Sequence, residues 1–131
     1  MNQSYTTYST SVYMDSLLQN QYAEDRPWGA FERFTLNELS TVKILKINAG
    51  KRTSLQLHHN RTEFWRILKG VGTVSIGGKE ENAKEGMEFL IPPETTHRVT
   101  AGDEGIEWLE IALGTFDEGD EVRLEDDYGR S

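Results

Sequence analysis

The stretch Gly50–Gly70 reads Gly-Lys-Arg-Thr-Ser-Leu-Gln-Leu-His-His-Asn-Arg-Thr-Glu-Phe-Trp-Arg-Ile-Leu-Lys-Gly, and it decides the fold. Thr53–His58 alternates polar and apolar residues, as a half-buried strand does. Gln56 and His58 then share one face, with Leu55 and Leu57 on the other. Glu63–Leu68 is rich in aromatic and branched side chains and stops at Lys69-Gly70. On that second strand Glu63, Trp65 and Ile67 share a face opposite Phe64, Arg66 and Leu68.

The same grammar extends outward. Thr41–Asn48 mixes apolar residues with Lys43 and Lys46 and ends at Ala49-Gly50. Gly72–Ile76 alternates up to Gly77-Gly78, a hairpin signal. Met87–Ile91 is apolar apart from Glu88 and is stopped by Pro92-Pro93. His97–Thr100, Ile106–Leu113 and Asp120–Leu124 complete about eight expected strands. Turn signals recur at roughly ten-residue spacing, the mark of an all-β sandwich or barrel. A barrel of this size holds one small ligand in its mouth. Ser16–Tyr22 is compatible with a short helix. Residues 1–24 read as a tail, or as an arm that adds a strand to a neighbouring subunit, and residues 25–131 as the folded domain.

Composition narrows the function classes. A chain of 131 residues fits one core. It has no cysteine, which excludes disulfides and thiolate metal sites. The net charge of −8 argues against nucleic acid as a partner. No apolar run approaches the ~18 residues of a membrane span. The N-terminus lacks the basic and apolar regions of a signal peptide, so a cytoplasmic location is expected. Charge is unevenly placed: six bases and one acid from Lys43 to Arg66, eleven acids and one base from Ala101 to Asp127. One reading is two solvated faces; the other is a basic mouth that receives an anion.

Gln56, His58, Glu63 and His97 form the candidate metal set. Two residues of strand separate Gln56 from His58 by ~6.7 Å, a spacing that lets both reach one ion. His97 opens a strand behind the stiff Pro92-Pro93 turn. Two imidazoles, a carboxylate and an amide oxygen make a sulfur-free site suited to Zn²⁺, with Mn²⁺, Co²⁺, Ni²⁺ or Fe²⁺ as alternatives. A single carboxylate leaves the ion much of its Lewis acidity.

These residues resemble the cupin family. Gly50, Gln56, His58, Glu63 and Gly70 match the spacing of its first motif, and Gly86, Pro92 and His97 that of its second. The family usually has His where Gln56 stands. The fold implied is the double-stranded β-helix, a jelly-roll barrel. Arg26-Pro27-Trp28-Gly29, Leu55-Gln56, His58-His59, Arg61, Glu63, Trp65, Ile91-Pro92, His97-Arg98 and Glu125–Arg130 follow in order. Together they resemble the isomerase domain of type II mannose-6-phosphate isomerases, often fused to a mannose-1-phosphate guanylyltransferase. Asn60 stands where that family has a third consecutive His, and a Gln expected near Ala112 is absent.

The resemblance implies a metal-dependent isomerase interconverting mannose 6-phosphate and fructose 6-phosphate. It makes Arg130 the first candidate to hold the phosphate and take part in catalysis, followed by Arg61 and Lys51 as substrate-binding residues. Glu110 is the candidate general base, with Asp126 and Asp127 as alternatives. Non-catalytic sugar-phosphate binding is the competing reading, and a metal oxygenase is a third. A homodimer is expected, since small barrels hide edge strands by pairing. No nucleotide-binding signature is present, so no nucleotide chemistry is expected.

Overall fold

The computed structural model describes residues 16–130. The chain divides into two compact units, Met1–Glu38 and Leu39–Ser131. In the smaller unit, β1 (Tyr22–Arg26) and β2 (Gly29–Arg33) form a hairpin closed by the Arg26↔Gly29 pair. Pro27 and Trp28 make its turn, which leaves Trp28 solvent-exposed and not packed. The expected boundary between residues 24 and 25 falls inside β1. The short helix expected over Ser16–Tyr22 is a turn closed by Gln21 N–H donating to Leu18 O. A helix of that length does not recover its nucleation cost.

The larger unit contains β3 (Ser40–Ile47), β4 (Leu55–Leu57), β5 (Thr62–Ile76), β6 (Lys79–Lys84), β7 (Glu88–Ile91), β8 (His97–Leu113) and β9 (Val122–Glu125). All pairs are antiparallel. Two long strands, β5 and β8, organise it. The first half of β5 pairs with β7 and with the second half of β8, which also carries β3. The second half of β5 pairs with β6 and with the first half of β8, which also carries β4; β9 joins β4 at the edge. The two long strands therefore serve two layers. Trp65, Ile67, Ile106 and Trp108 from one layer and Val74, Val99 and Ala101 from the other lie in one buried core.

Two expected strand pairs are thus single bent strands. Gly70 and Gly72 read as strand ends, yet the ladder continues through them with register shifts at Ile67/Lys69 and Gly70/Gly72. Gly70 has φ +83°, and a β-carbon there would stand 2.2 Å from Gly105 O. Glycine is thus required at this corner by both conformation and space. Gly77 and Gly78 adopt positive φ and make the tight turn from β5 to β6, as their pairing predicts. β6 itself, Lys-Glu-Glu-Asn-Ala-Lys, escapes sequence reading because only Ala83 of it is buried.

The corner generates a stability prediction. Gly70→Ala should lower unfolding free energy by roughly 2–4 kcal/mol, through backbone strain plus the clash with Gly105. Gly78→Ala, also at positive φ but facing open space, should cost only about 1 kcal/mol. Urea unfolding of both variants checks the ranking; equal losses would contradict it.

Candidate metal centre

His58, Glu63 and His97 are brought together in the larger unit. Each offers a ligand atom within 4.8 Å of the others, and all three are buried. In a flat ladder this could not occur. Glu63 lies at the start of β5 and His97 pairs with Ile76 at its end, thirteen residues away, or roughly 43 Å of extended strand. The glycine corner folds those ends together. His58 follows the last residue of β4, whose Gln56 pairs with His97.

Hydrogen bonds settle which imidazole nitrogens face the site. His58 Nδ1 lies 2.7 Å from the carbonyl oxygen of Asp120, and His97 Nδ1 lies 3.0 Å from that of Thr95. A carbonyl only accepts, so each Nδ1 carries the proton and each Nε2 presents a lone pair. His97 Nε2 is buried without a hydrogen-bond partner among the described residues. His58 Nε2 lies 3.2 Å from Glu63 Oε2. Two ligands at about 2.1 Å from one tetrahedral ion stand roughly 3.4 Å apart, so that spacing fits. An orphaned lone pair beside a second imidazole and a buried carboxylate is what a divalent cation requires, and the three residues fit one.

Glu63 is the hub. Its Oε1 accepts from Trp65 Nε1 at 3.0 Å and its Oε2 from Arg61 Nε at 2.9 Å. Burial pushes its pKa up, but His97, His58 and Arg61 together outweigh that and hold the carboxyl below its ordinary value. Burial lowers the pKa of His97 despite the Thr95 carbonyl, which favours the neutral, ligating imidazole. Glu110 is also hydrogen-bonded to Glu63, and burial first, then the charge of Glu63, raise its pKa to about 8. It is therefore protonated at neutral pH and donates to Glu63.

The other expected site residues fall into two places. Arg61 is buried with the triad: Nη1 donates to Asp117 O at 3.2 Å, Nη2 lies 3.3 Å from His58 Nε2, and the guanidinium stacks on Phe116 at 4.3 Å. Lys51 and Arg130 instead line a cleft of about 550 Å³ together with Arg52, Arg123 and Gln56. Arg130 is held by Asp126 through Nε at 2.9 Å and Nη2 at 2.8 Å, and Arg52 by Asp127 at 2.7 and 2.9 Å. Gln56 lies between the two places: its backbone pairs in register with His97, and its side chain lines the cleft. With its nitrogen turned to the available acceptors, its amide donates to Ser54 Oγ at 3.1 Å and to Glu121 at 3.1 and 3.2 Å. His59, half exposed, pairs with Glu94 at 2.8 Å.

Sequence reasoning missed Asp120 and the basic neighbours Arg52 and Arg123. Arg52 had a signal, since it adjoins Lys51 in the basic stretch. Asp120 had none: its role runs through backbone groups.

Two antiparallel layers closed over a His/Glu/His group define a cupin. The cupin protein of Bacteroides fragilis matches with a TM-score of 0.55 and 26% identity, over 63% of this chain and 72% of that one. Oxalate decarboxylase OxdC of Bacillus subtilis matches at TM-score 0.61 and 23% identity, over 67% and 25% of the two chains, and supports the fold alone. The chain belongs to the mannose-6-phosphate isomerase C-terminal family, which matches residues 14–126. It is 35% identical over 108 residues to the xanthan biosynthesis protein XanB of Xanthomonas campestris, covering 81% of this chain and 23% of that protein. It is 34% identical over 115 residues to the alginate biosynthesis protein AlgA of Pseudomonas aeruginosa, covering 86% and 24%. The chain thus spans about a quarter of the length of these curated relatives. Among the described residues no helix is long and apolar enough to cross a membrane.

Metal addition tests the centre directly. Zn²⁺ or Mn²⁺ at a hundredfold its Kd should stabilise the protein by about 2.7 kcal/mol. Thermal unfolding with and without the ion should show that shift, and His97→Ala should remove most of it. An equal shift in the variant would exclude His97 as a ligand.

Proposed function

We propose that this domain is a metal-dependent sugar-phosphate isomerase that interconverts mannose 6-phosphate and fructose 6-phosphate. Family membership supports the substrate class. The observation that carries the reading is the short strand β4, where Gln56 pairs in register with His97 of the metal group while lining the basic cleft of Lys51 and Arg130. A sugar phosphate needs that juxtaposition: a polarising group for its oxygens and cations for its phosphate.

His58, Glu63 and His97 would hold the ion, Zn²⁺ by donor type, with Gln56 as the fourth ligand. When bound, a divalent cation supplies Lewis acidity at the sugar oxygens. Lys51 and Arg130 hold the phosphate, Arg130 bidentate once it turns from Asp126. Arg61, donating toward the triad, stabilises negative charge on the substrate oxygens. The reaction moves a proton between C2 and C1 through an enediol. Of the candidate carboxyls, Glu110 touches the metal group, whereas Asp126 and Asp127 are engaged by Arg130 and Arg52. Glu110 is the candidate to carry that proton, taking it only in the ionised minority that a pKa of about 8 leaves near neutral pH and returning it in the protonated form. A homodimer working in the cytoplasm completes the reading.

A coupled assay with mannose 6-phosphate tests it, with Zn²⁺, Mn²⁺, Co²⁺, Ni²⁺ or Fe²⁺ supplied. His58→Ala should abolish turnover. Lys51→Ala and Arg130→Ala should lower kcat/KM by about 10- to 100-fold, mainly through KM, the cost of a lost charge-assisted hydrogen bond. No turnover with any of these ions would overturn the proposal; binding without conversion would make the domain a sugar-phosphate binder.

A further inference from the structure

We propose that Asp120 is a positioning residue for the metal centre, fixing both the tautomer and the location of His58 from outside the ligand set. The inference rests on the reading of His58, Glu63 and His97 as metal ligands. Three bonds carry it, and they fall on three consecutive residues. The Asp120 carbonyl oxygen faces His58 Nδ1 at 2.7 Å. Its carboxylate accepts from the backbone N–H of His59 at 2.8 Å and of Asn60 at 2.9 Å. Both carboxylate oxygens are thereby used on backbone donors, and Asp120 is not part of the group of possible ligands among the described residues.

The need for such a clamp follows from the local fold. His58 lies past the end of a three-residue strand, β4. Its backbone has left the ladder, so strand pairing does not fix the imidazole. Asp120 supplies that fixation from a segment about sixty residues away. It is itself held. Its N–H donates to Asp117 O at 3.0 Å, and the same carbonyl accepts from Arg61 at 3.2 Å. Two residues on, β9 begins and pairs with β4, including Leu57↔Val122. The residue is only 9% exposed, so water does not readily replace its two backbone bonds. Losing the carboxylate frees the His59 and Asn60 N–H groups and lets the His58–Asn60 turn drift. The His58 Nε2 lone pair then leaves the point where it meets Glu63 and His97.

The test uses the full chain and Co²⁺ as the probe, with affinity from calorimetry and ligand geometry from the visible absorption of the bound ion. Asp120→Ala keeps the carbonyl that sets the tautomer but removes the two bonds that hold the His58–Asn60 turn. It should therefore weaken Co²⁺ binding by about 10-fold, the low end for loss of support to a metal-binding His, and should change the spectrum. Asp120→Asn keeps the shape and one acceptor oxygen, and should fall between wild type and Ala. Thermal unfolding of the metal-free proteins identifies the folded fraction on which each affinity is calculated. If Asp120→Ala does not fold, Asp120→Asn decides: a threefold or greater loss with an altered spectrum supports the role. A loss of less than threefold, or an unchanged spectrum, overturns the role of Asp120 and leaves the metal centre standing. Wild-type protein that binds neither Co²⁺ nor Zn²⁺ overturns the metal centre, and this inference with it.

Discussion

The close approach of Gly70 to the carbonyl of Gly105 is the constraint on which the remaining architecture depends. A β-carbon at Gly70 would fall 2.2 Å from that oxygen, well inside van der Waals contact. The approach lets β5 and β8 bend together without ending their ladder. Each strand then contributes one half to each of two layers. Without the bend, the apolar side chains of the two halves would lie along one long ribbon with nothing to cover them. With it, Trp65 and Trp108 from one layer share a core with Val74 and Val99 from the other. The same bend brings Glu63 and His97 into one group, so burial of the core and assembly of the site are one event.

Glu63 shows why that group is poised for a cation. A carboxylate that is 2% exposed is unfavourable unless compensated. Here the compensation comes from Trp65, Arg61 and a protonated Glu110. Arg61 supplies one positive charge, yet the His97 Nε2 lone pair receives no donor among the described residues. Protein groups balance the carboxylate but leave the second imidazole unsatisfied. A divalent cation satisfies both, and with one carboxylate in its coordination it retains net positive charge for a substrate oxygen.

How much of this was legible in the sequence follows from the range of each interaction. The strands of Gly50–Gly70 and the spacing of His58, Glu63 and His97 were readable, because alternation and motif spacing are local. Gly70 and Gly72 read as breaks because a corner and a turn use the same residue; only the partner strand tells them apart, and Gly105 lies thirty-five residues on. β6 was hidden because its pairing is through backbone and its side chains are nearly all exposed. The basic residues were visible as a charge run, but their division was not. Arg61 turns inward to Glu63, whereas Lys51 and Arg130 line the cleft, a choice made by strand position that composition does not encode. Asp120 was unreadable for a further reason: an aspartate in an acidic stretch carries no mark that its carbonyl oxygen matters.

The shortness of β4 joins these threads. The strand has three residues, and each end does different work. On its N-terminal side, Arg52 and Lys51 belong to the cleft, and Tyr128 Oη donates to Arg52 O at 3.0 Å, tying the C-terminal segment there. On its C-terminal side the chain leaves the ladder at His58 and enters the metal group. A longer strand would keep His58 in the ladder and hold its ring at the pleat's direction. Ending the strand frees that ring to turn toward Glu63, while Gln56 stays paired with His97. The loss of regular pairing must then be replaced by specific bonds, and the Glu94 N–H donating to His58 O at 2.7 Å is one such bond, alongside those from Asp120. The site thus takes its direction from irregular backbone and its rigidity from the layers on either side. A cupin can change its chemistry at such a point without disturbing the core that supports it.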